Sequence, residues 1–317
     1  MKELRFLFED KIIDTNINDL PCIGYLIRRL KSKNIQLSDD LNKIEKRITA
    51  FNLLLISELN KLKDIAINNN LLFIPIKGPL LSLLLYNDLL RETSDIDIYT
   101  ARDYDKWQKI LLQLGYKTKP RYPETFSRDF ITIDLHPSFI NYTRVPSRKQ
   151  FSQYFDTIIN HHLVEISGFK IADKTFYLQY LPSHNLFHHC FTSVKEHLDL
   201  YYLSQQLPIP SVENNFVREV IDFNLYFIKN YWGLNLSCSN RFKFKLLLHL
   251  FLTPPVIKNR YPLSLFFIRG LINKLKYLNE IIIPTKEFLY YEYPKKNYLS
   301  SLFTHWYKNV VFDNRIH

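Results

Sequence analysis

Cysteine is scarce in this sequence of 317 residues, and its three copies lie far apart. They are Cys22, Cys190 and Cys238, an odd number with no CxxC pair. A disulfide scaffold and a cysteine zinc site both need paired, regularly spaced cysteines, so neither is expected. This pattern fits a reducing compartment, and we expect the chain to act in the cytoplasm.

Long uncharged apolar runs are also missing. Charges such as Lys2, Glu3 and Arg5 occur throughout the first 30 residues, so no secretory signal is expected. The later apolar stretches are interrupted by charges such as Lys77 and Lys245, and none reaches the roughly 18 residues that indicate a membrane helix. We therefore expect no membrane span.

The composition is that of a globular protein. Apolar residues make up 46% and charged residues 23% of the chain, which excludes a disordered, collagen-like or fibrous protein. The net charge of +11 allows two interpretations. It can indicate a polyanionic partner such as a nucleic acid or a nucleotide. It can also follow from a residue usage rich in Lys, Asn, Ile, Tyr and Phe, as an AT-rich genome produces.

Hydrophobic periodicity divides the chain into three parts. We expect helices in residues 1–70, a compact unit of strands and helices in residues 71–175, and a helical domain in residues 176–317. The predicted fold class is α+β with a small mixed sheet. The elements of the middle part are predicted at residues 71–76, 80–90, 95–99, 103–114, 130–135 and 163–171, the last as a hairpin. The C-terminal helices are predicted at residues 183–206, 212–231, 241–252, 263–278 and 298–311.

Two carboxylates, Asp95 and Asp97, form the main chemical signal. Polar and apolar residues alternate in the strand predicted at residues 95–99, so residues i and i+2 face the same side, about 7 Å apart along the backbone. Carboxylate oxygens at that spacing suit one or two hard divalent cations such as Mg²⁺. A DxD pair alone is also common as a solvated surface pair.

Asp134 and the Lys77–Gly78 step strengthen this signal. The alternation of the next strand puts Asp134 and His136 on one face. A third carboxylate from a neighbouring strand completes a two-metal site for nucleotidyl transfer, where it holds metal or acts as base for an attacking hydroxyl. Gly78 permits close backbone approach at a helix N-terminus, Lys77 supplies a charge for phosphate, and Arg91 can bind phosphate through two hydrogen bonds.

In this order the motifs resemble those of a known family. The segment IPIKGPLLSLLLYNDLLRETSDIDIYTARDYDKWQKILLQLGY, followed by IDLH, is similar to the uncharacterised nucleotidyltransferase group of the polymerase-β-like superfamily. The similarity is close over residues 70–140 and extends weakly into the helical part through HNLFHHC and DLYYL. Where the superfamily usually has Gly-Ser or Gly-Gly, this chain has Lys77-Gly78 followed by Pro79.

The resemblance implies that residues 71–175 form a nucleotidyltransferase core with polymerase-β-like topology. Such a core moves a nucleoside monophosphate from an NTP, such as ATP, to an acceptor hydroxyl and releases pyrophosphate. The residues expected to be catalytic and to hold Mg²⁺ or Mn²⁺ are Asp95, Asp97 and Asp134. Those expected near the nucleotide are Lys77, Gly78, Arg91, Ser94 and His136. The acceptor stays open among a small molecule, a protein and an RNA, as does the oligomeric state. The alternative is a catalytically degenerate member that binds nucleotides or acts as an interaction scaffold.

Histidines cluster in the helix predicted at residues 183–206. His184 and His188 are four residues apart and so face the same way, which would allow them to bind a metal ion. No glutamate follows the first histidine as in zinc proteases. The other interpretations are packing against the sheet and a position lining the nucleotide cleft, and the role of this helix, with His189, stays open.

Basic residues before the Asp134 strand are candidates for binding an anionic acceptor. They are Arg121 and Arg128, in a segment predicted to be a loop that also contains Tyr122. Aromatic residues elsewhere, such as Phe266 and Phe267, fit helical apolar stripes, so we expect them in the core rather than stacked on bases.

Overall fold

A computed structural model gives the structure of the chain. The residues that it describes are 22–119, 122–143, 145–189, 191, 193–208, 211–232, 236, 238, 241–252, 261–294 and 296–307. Among these residues, strands occur only between Ile74 and Ala172, and helices occur throughout.

The structure contains two compact units. The first takes in the described residues up to Phe139, together with Ile158–Tyr177 and Gln205–Leu207. The second takes in Ile140–Thr157, Leu178–Ser204 and the described residues from Pro208 onward. The domain limits predicted at residues 70 and 175 stay a prediction.

Helices and strands are combined in the first unit, which confirms the predicted α+β class. Its helices are α1 (Ile23–Ser32), α2 (Asp39–Asn68), α3 (Gly78–Tyr86) and α4 (Tyr104–Gln113). Its strands are β1 (Ile74–Pro75), β2 (Ile96–Tyr99), β3 (Lys117–Lys119), β4 (Tyr122–Arg128), β5 (Ile131–His136), β6 (Leu163–Ile166) and β7 (Phe169–Ala172).

Five of the strands form one mixed sheet in the order β1-β2-β5-β4-β3. Strand β2 runs parallel to β5, and the other neighbours are antiparallel. The parallel pair places residues of β2 and β5 side by side in register, so side chains on the same face become neighbours. Strands β6 and β7 form the predicted hairpin, turning at Ser167 and Gly168, both with positive φ.

The alternation of residues in β2 and β5 decides which face of the sheet is buried. Ile96, Ile98, Ile133 and Leu135 are all at most 1% exposed and lie in one hydrophobic core. The helical residues in the same core include Leu59, Leu62, Leu80, Trp107 and Leu111. Burying a side chain of this size stabilises the fold by about 1.5–3 kcal/mol. The core therefore fixes the register that leaves the aspartates on the opposite face.

Local signals set the ends of the helices in this unit. Helix α2 begins after Ser38, whose Oγ accepts a hydrogen bond from the Leu41 N–H at 3.4 Å. Helix α4 ends just before Gly115, which has φ +82° and whose N–H donates to the Leu112 carbonyl at 3.0 Å.

The remaining helices belong wholly or mostly to the second unit. They are α5 (Lys149–Ile158), α6 (Lys174–His189), α7 (Val194–Gln206), α8 (Asn215–Trp232), α9 (Phe242–Leu252), α10 (Leu271–Ile282), α11 (Lys286–Glu292) and α12 (Tyr298–Trp306). Stacked phenylalanines pack α5, α6 and α8 together: the ring of Phe216 lies 4.0 Å from that of Phe151 and 5.4 Å from that of Phe187. Phe267 is also buried, which supports the core interpretation of these aromatic residues.

Strand β4 shows that the loop predicted before β5 was wrong. Tyr122 and Arg128 lie in this strand, and Arg121 lies outside the described residues. The Arg128 guanidinium donates to Glu58 at 2.9 Å and lies 4.4 Å from the centre of the Tyr116 ring. Its charge is thus matched by Glu58, which argues against contact with an anionic acceptor.

The helices after residue 140 differ from the prediction in four places. The prediction of one helix at residues 263–278 was wrong, because Gly270, with φ +81°, separates a 3₁₀ turn at Tyr261–Phe266 from α10, which begins at Leu271. The helix predicted at residues 183–206 is two helices, α6 and α7, and α6 begins nine residues earlier at Lys174 and contains Pro182. Helices α5 and α11 were not predicted. The helix predicted at 298–311 ends as an α-helix at Trp306, and residues 308–311 lie outside the described part of the chain.

None of the described helices combines the length and the apolar character that crossing a bilayer requires.

Candidate active site

The parallel strands β2 and β5 bring two of the predicted carboxylates together. Asp97 is the register partner of Asp134, one strand spacing away. The residues that follow this pair, Ile98 and Leu135, are also register partners and lie in the core. Because side chains alternate along both strands, the two aspartates share the face opposite to the core.

A lysine and a histidine surround Asp97. The Nε2 atom of His136 lies 2.7 Å from Asp97 Oδ1, and Lys77 Nζ lies 3.5 Å from the same oxygen. The side chains of Lys77, Asp97 and His136 are only 14%, 8% and 19% exposed. Lys77 and Asp97 therefore attract each other in a partly desolvated place, where electrostatic forces are stronger than in bulk water. Asp97 is the centre of the cluster.

Asp134 carries an oxygen whose hydrogen-bonding capacity is not used. Its Oδ1 atom is buried and makes no hydrogen bond within the part of the chain that the structure describes. Burial raises the pKa of Asp134 above its ordinary value, and the charge of Asp97 adds to this. A hydrogen bond with Thr125 and the positive charges of His136 and Lys77 act in the opposite direction. A buried carboxylate oxygen of this kind favours a cation or a proton beside it.

The turn between β1 and α3 positions Lys77 and Gly78 beside the segment that precedes β2. The Ile76 N–H donates to the Asp97 carbonyl at 3.1 Å and so ties this turn to β2. Gly78 has φ +70°, and a Cβ atom at this position would lie 3.5 Å from the Asp95 carbonyl oxygen. Glycine serves here because other residues rarely adopt this conformation. Lys77 thus lies both at the N-terminus of α3 and at the carboxylate cluster.

Asp95 and Ser94 lie just outside β2. The strand begins at Ile96, so Asp95 precedes the ladder, where it is half-buried, and Ser94 is exposed. The carbonyl oxygen of Asp95 lies beside Gly78. The structure thus brings Lys77, Asp97, Asp134 and His136 into one cluster and places Asp95 and Ser94 at its edge.

Arg91 is buried, with only 5% of its surface exposed. Its main chain is anchored on both sides: the Arg91 carbonyl accepts from Asn52 Nδ2 at 2.9 Å, and the Arg91 N–H donates to Ser82 Oγ at 3.2 Å. These bonds fix the segment between α3 and β2. Contact between Arg91 and phosphate stays a prediction.

Thr125 is the residue of the cluster that the sequence analysis missed. It lies on β4 directly opposite Asp134 and hydrogen-bonds to that carboxylate. The alternation of Thr125 and Ser127 around the fully buried Phe126 is a strand signal that could have found it.

The chemistry of the cluster fits a divalent cation. Asp97 and Asp134 offer carboxylate oxygens from adjacent register positions, and these are the donors that Mg²⁺ prefers. The Oδ1 of Asp134 has no hydrogen-bond partner among the described residues and is therefore available to a cation. Lys77 shows that the position beside Asp97 already attracts positive charge. Asp95 could contribute a further oxygen from the edge of the cluster.

Comparison with known proteins adds a family to this geometry. No curated protein and no solved structure matches the chain. A model of the family described as "uncharacterised nucleotidyltransferase" matches residues 20–225, which include every residue of the cluster. The match supports transfer from a nucleoside triphosphate in general terms. Because it extends over well more than half of the chain, the protein belongs to this uncharacterised nucleotidyltransferase family.

Proposed function

We propose that the protein is a Mg²⁺-dependent nucleotidyltransferase that moves a nucleoside monophosphate from an NTP to an acceptor hydroxyl and releases pyrophosphate. The observation that carries the proposal is the register pairing of Asp97 with Asp134, with an unpartnered carboxylate oxygen and with Lys77 alongside. Membership of the nucleotidyltransferase family supports it independently.

Three carboxylates hold the cation in this proposal. Asp97 and Asp134 supply oxygens from the paired strands, and Asp95 supplies one from the segment before β2. When bound, Mg²⁺ or Mn²⁺ neutralises triphosphate charge and makes the acceptor hydroxyl more acidic.

The triphosphate is bound by Lys77 and by the start of α3. The N-terminus of a helix offers free N–H groups and a positive partial charge to an anion. Gly78, at the first position of α3, lets the backbone approach the phosphates. Binding of the triphosphate at this point shifts Lys77 from Asp97 toward phosphate, which leaves the Asp97 oxygens for the cation. Ser94, Arg91 and His136 complete the predicted nucleotide contacts.

Proton transfer is assigned to Asp134. The acceptor hydroxyl oxygen forms a bond to the α-phosphorus, the bond from that phosphorus to the bridging oxygen breaks, and pyrophosphate leaves. The hydroxyl proton passes to Asp134 Oδ1, the oxygen that has no partner among the described residues. Because burial raises the pKa of Asp134, this carboxylate is a better proton acceptor than an exposed aspartate.

The acceptor is a small molecule, a protein or an RNA end. The net charge of +11 is compatible with an RNA, and steep loss of RNA binding with added salt would single out that acceptor.

Loss of the carboxylates tests the proposal. The Asp95→Asn/Asp97→Asn double variant should give no transfer when incubated with each NTP and candidate acceptors, while the wild type adds one nucleotide to the acceptor, as read by mass spectrometry. The matched control is Asp64→Asn, the same change at an exposed position of α2 in the same unit. Circular dichroism checks that all three proteins fold. Turnover retained in the double variant rejects the proposal.

A second candidate function is a nucleotide-binding scaffold without catalysis. The observation that favours it is that Lys77 Nζ and His136 Nε2 lie 3.5 and 2.7 Å from Asp97 Oδ1, where a metal ion would bind. Titration calorimetry with NTP and Mg²⁺, beside a pyrophosphate-release assay, separates the two functions. A scaffold binds nucleotide with no release above the level of the double variant.

A further inference from the structure

A second cluster of charged and metal-binding side chains lies in the other unit, where α6 ends and α7 begins. His184, His189 and Glu196 each offer one ligand atom, and these atoms lie within 4.8 Å of one another. His184 Nδ1 lies 2.7 Å and His189 Nε2 lies 3.7 Å from the same atom, Glu196 Oε1. Two imidazoles and a carboxylate from two helices thus converge on one point.

The burial of this cluster makes its chemistry informative. The side chains of His184 and Glu196 are 5% and 4% exposed, whereas that of His189 is 43% exposed. The second oxygen of Glu196, Oε2, is buried and has no hydrogen-bond partner within the described part of the chain. An ionised carboxylate in such a place is costly unless a positive charge accompanies it. The histidines beside it, the buried His184 and the more exposed His189, offer nitrogen atoms that can bind a cation but carry no permanent positive charge.

The loop between the two helices is held so that the cluster forms. Asn185 Nδ2 donates to the Ser193 carbonyl at 3.3 Å, and the Ser193 N–H donates to Asn185 Oδ1 at 3.2 Å. The Phe191 N–H donates to the Asn185 carbonyl at 2.9 Å. Ser193 Oγ then accepts from the Glu196 N–H at 3.4 Å and caps α7. These bonds fix Glu196 opposite His184 before any ligand is bound.

We propose that His184, His189 and Glu196 bind a Zn²⁺ ion. Imidazole nitrogen and carboxylate oxygen are the donors that zinc takes, at about 2.0–2.2 Å, so tetrahedral ligands lie about 3.3–3.5 Å apart. The observed distances of 2.7 and 3.7 Å to Glu196 Oε1 lie on either side of that spacing. The ion therefore fits if His184 Nδ1 and Glu196 Oε1 move slightly apart. The exposed ring of His189 is both the mobile ligand and the access route from solvent. Three protein ligands leave a fourth position for water or an external ligand.

His188 is not a ligand in this proposal. Its ring stacks on that of His184 at 4.4 Å between centres, and its Nε2 accepts a hydrogen bond from the Asn141 N–H at 3.4 Å. That bond occupies the nitrogen, and His188 is not one of the residues whose ligand atoms converge. His188 therefore provides a control of the same residue type on the same helix.

The consequence of zinc binding is a link between the end of α6 and the start of α7. Two ligands belong to α6 and the third to α7, so the bound ion cross-links the two helices. The ligands must be deprotonated to bind, and zinc should therefore dissociate in mild acid as the histidines take up protons.

The test measures zinc binding to the full-length chain without a histidine tag. The protein is stripped with a chelator and titrated with Zn²⁺ against a chromophoric competitor, and the Asp97→Asn variant is titrated beside it to exclude binding at the aspartate site. We expect one tightly bound Zn²⁺ per chain, and a Co²⁺-loaded sample should show the intense visible bands of tetrahedral coordination. His189→Gln and Glu196→Gln should each weaken zinc binding by about 100-fold or more, whereas His188→Gln should leave it unchanged.

Two results would overturn the proposal. One is a wild-type chain that binds Zn²⁺ no more tightly than His189→Gln does. The other is His188→Gln losing as much zinc as His189→Gln, which would place the ion elsewhere. Since His189 is the most exposed member, its glutamine variant should keep the wild-type circular dichroism spectrum, and the comparison then concerns binding and not folding.

Discussion

The aspartate cluster of the first unit and the histidine–glutamate cluster of the second unit share one feature and differ in another. Each contains a buried carboxylate oxygen without a hydrogen-bond partner among the described residues: Asp134 Oδ1 in one and Glu196 Oε2 in the other. Around Asp134 the neighbouring groups are the Asp97 carboxylate, the Lys77 ammonium and one imidazole, that of His136, whereas around Glu196 they are two imidazoles. Burial alone therefore indicates only that a cation is favoured, and the neighbouring donor atoms decide which cation.

The largest expected effect is a loss of nucleotidyl transfer that leaves zinc binding unchanged. Asp97→Asn should lower nucleotidyl transfer by at least about 1,000-fold, equivalent to about 4 kcal/mol of transition-state stabilisation, because the charge at the centre of the site is lost. The same variant should bind one Zn²⁺ per chain with wild-type affinity. Transfer is measured by pyrophosphate release and zinc by competition titration. Loss of zinc together with transfer, in a protein that is still folded, would mean that the two clusters are not independent.

The aspartate cluster was predicted from the alternation of polar and apolar residues along each strand. Ile96 and Ile98 alternate with Asp97 in β2, and the same pattern in β5 places Asp134 on the polar face. The sequence could not tell which strands are neighbours, since that depends on long-range packing. Strand β4 was missed although Thr125 and Ser127 alternate around the buried Phe126, and with the strand the analysis missed Thr125, which hydrogen-bonds to Asp134.

The histidine–glutamate cluster could not be found from helical periodicity. In one continuous helix, His184 and Glu196 would be about 18 Å apart at 1.5 Å per residue. Because the chain is instead divided into α6 and α7, His184 Nδ1 and Glu196 Oε1 lie only 2.7 Å apart. The signal for the break was present, because Ser193 followed by Glu196 three residues later is the pattern of a helix start. The predicted pair, His184 and His188, does face one way, as their stacked rings show.

A smaller effect concerns stability. Zinc at a free concentration of about 100 times its Kd should stabilise the folded chain by about 2.7 kcal/mol, whereas Mg²⁺ alone should add little because the aspartate site gains its cation together with the triphosphate. Calorimetric melts with and without zinc measure this difference. The zinc-dependent shift should persist in His188→Gln and vanish in His189→Gln. A shift that is the same in both variants would contradict the assigned ligands.

A third buried carboxylate, Glu58 of α2, sharpens the comparison because its partners are complete. Its oxygens accept from Tyr116 at 2.7 Å, Arg128 at 2.9 Å and Lys61 at 2.9 Å. Burial acts to raise the pKa of Glu58, but hydrogen bonds from Lys61 and Tyr116 and the charges of Lys61 and Arg128 outweigh it, so the pKa is lowered. The satisfied carboxylate should therefore contribute to stability and bind no metal.

The sign of that contribution follows from proton linkage. A lowered pKa in the folded state means that the stabilisation is present above the unfolded value of about 4.3 and is lost as the pH falls through the folded value. Glu58→Gln should destabilise the chain by about 1–2 kcal/mol at pH 7, and the difference from wild type should close below about pH 4. Urea unfolding at several pH values checks this. Glu165→Gln, an exposed position on β6, is the control and should show little change at any pH.

The smallest effect distinguishes a glycine that serves the site from one that only serves the fold. Gly78 and Gly115 have similar φ values of +70° and +82°, so alanine at either position should cost about 1 kcal/mol of stability through backbone strain. A Cβ at Gly115 would meet nothing within 4 Å, whereas one at Gly78 would contact Asp95 and Thr93 at 3.5 Å. Gly78→Ala should therefore also raise KM for the NTP, by up to about tenfold, and Gly115→Ala should not. If Gly78→Ala and Gly115→Ala lose the same stability and have the same KM, Gly78 only shapes a turn. The proposed binding of the triphosphate at Lys77 and Gly78 would then be wrong. The metal-binding role proposed for Asp97 and Asp134 would not be affected.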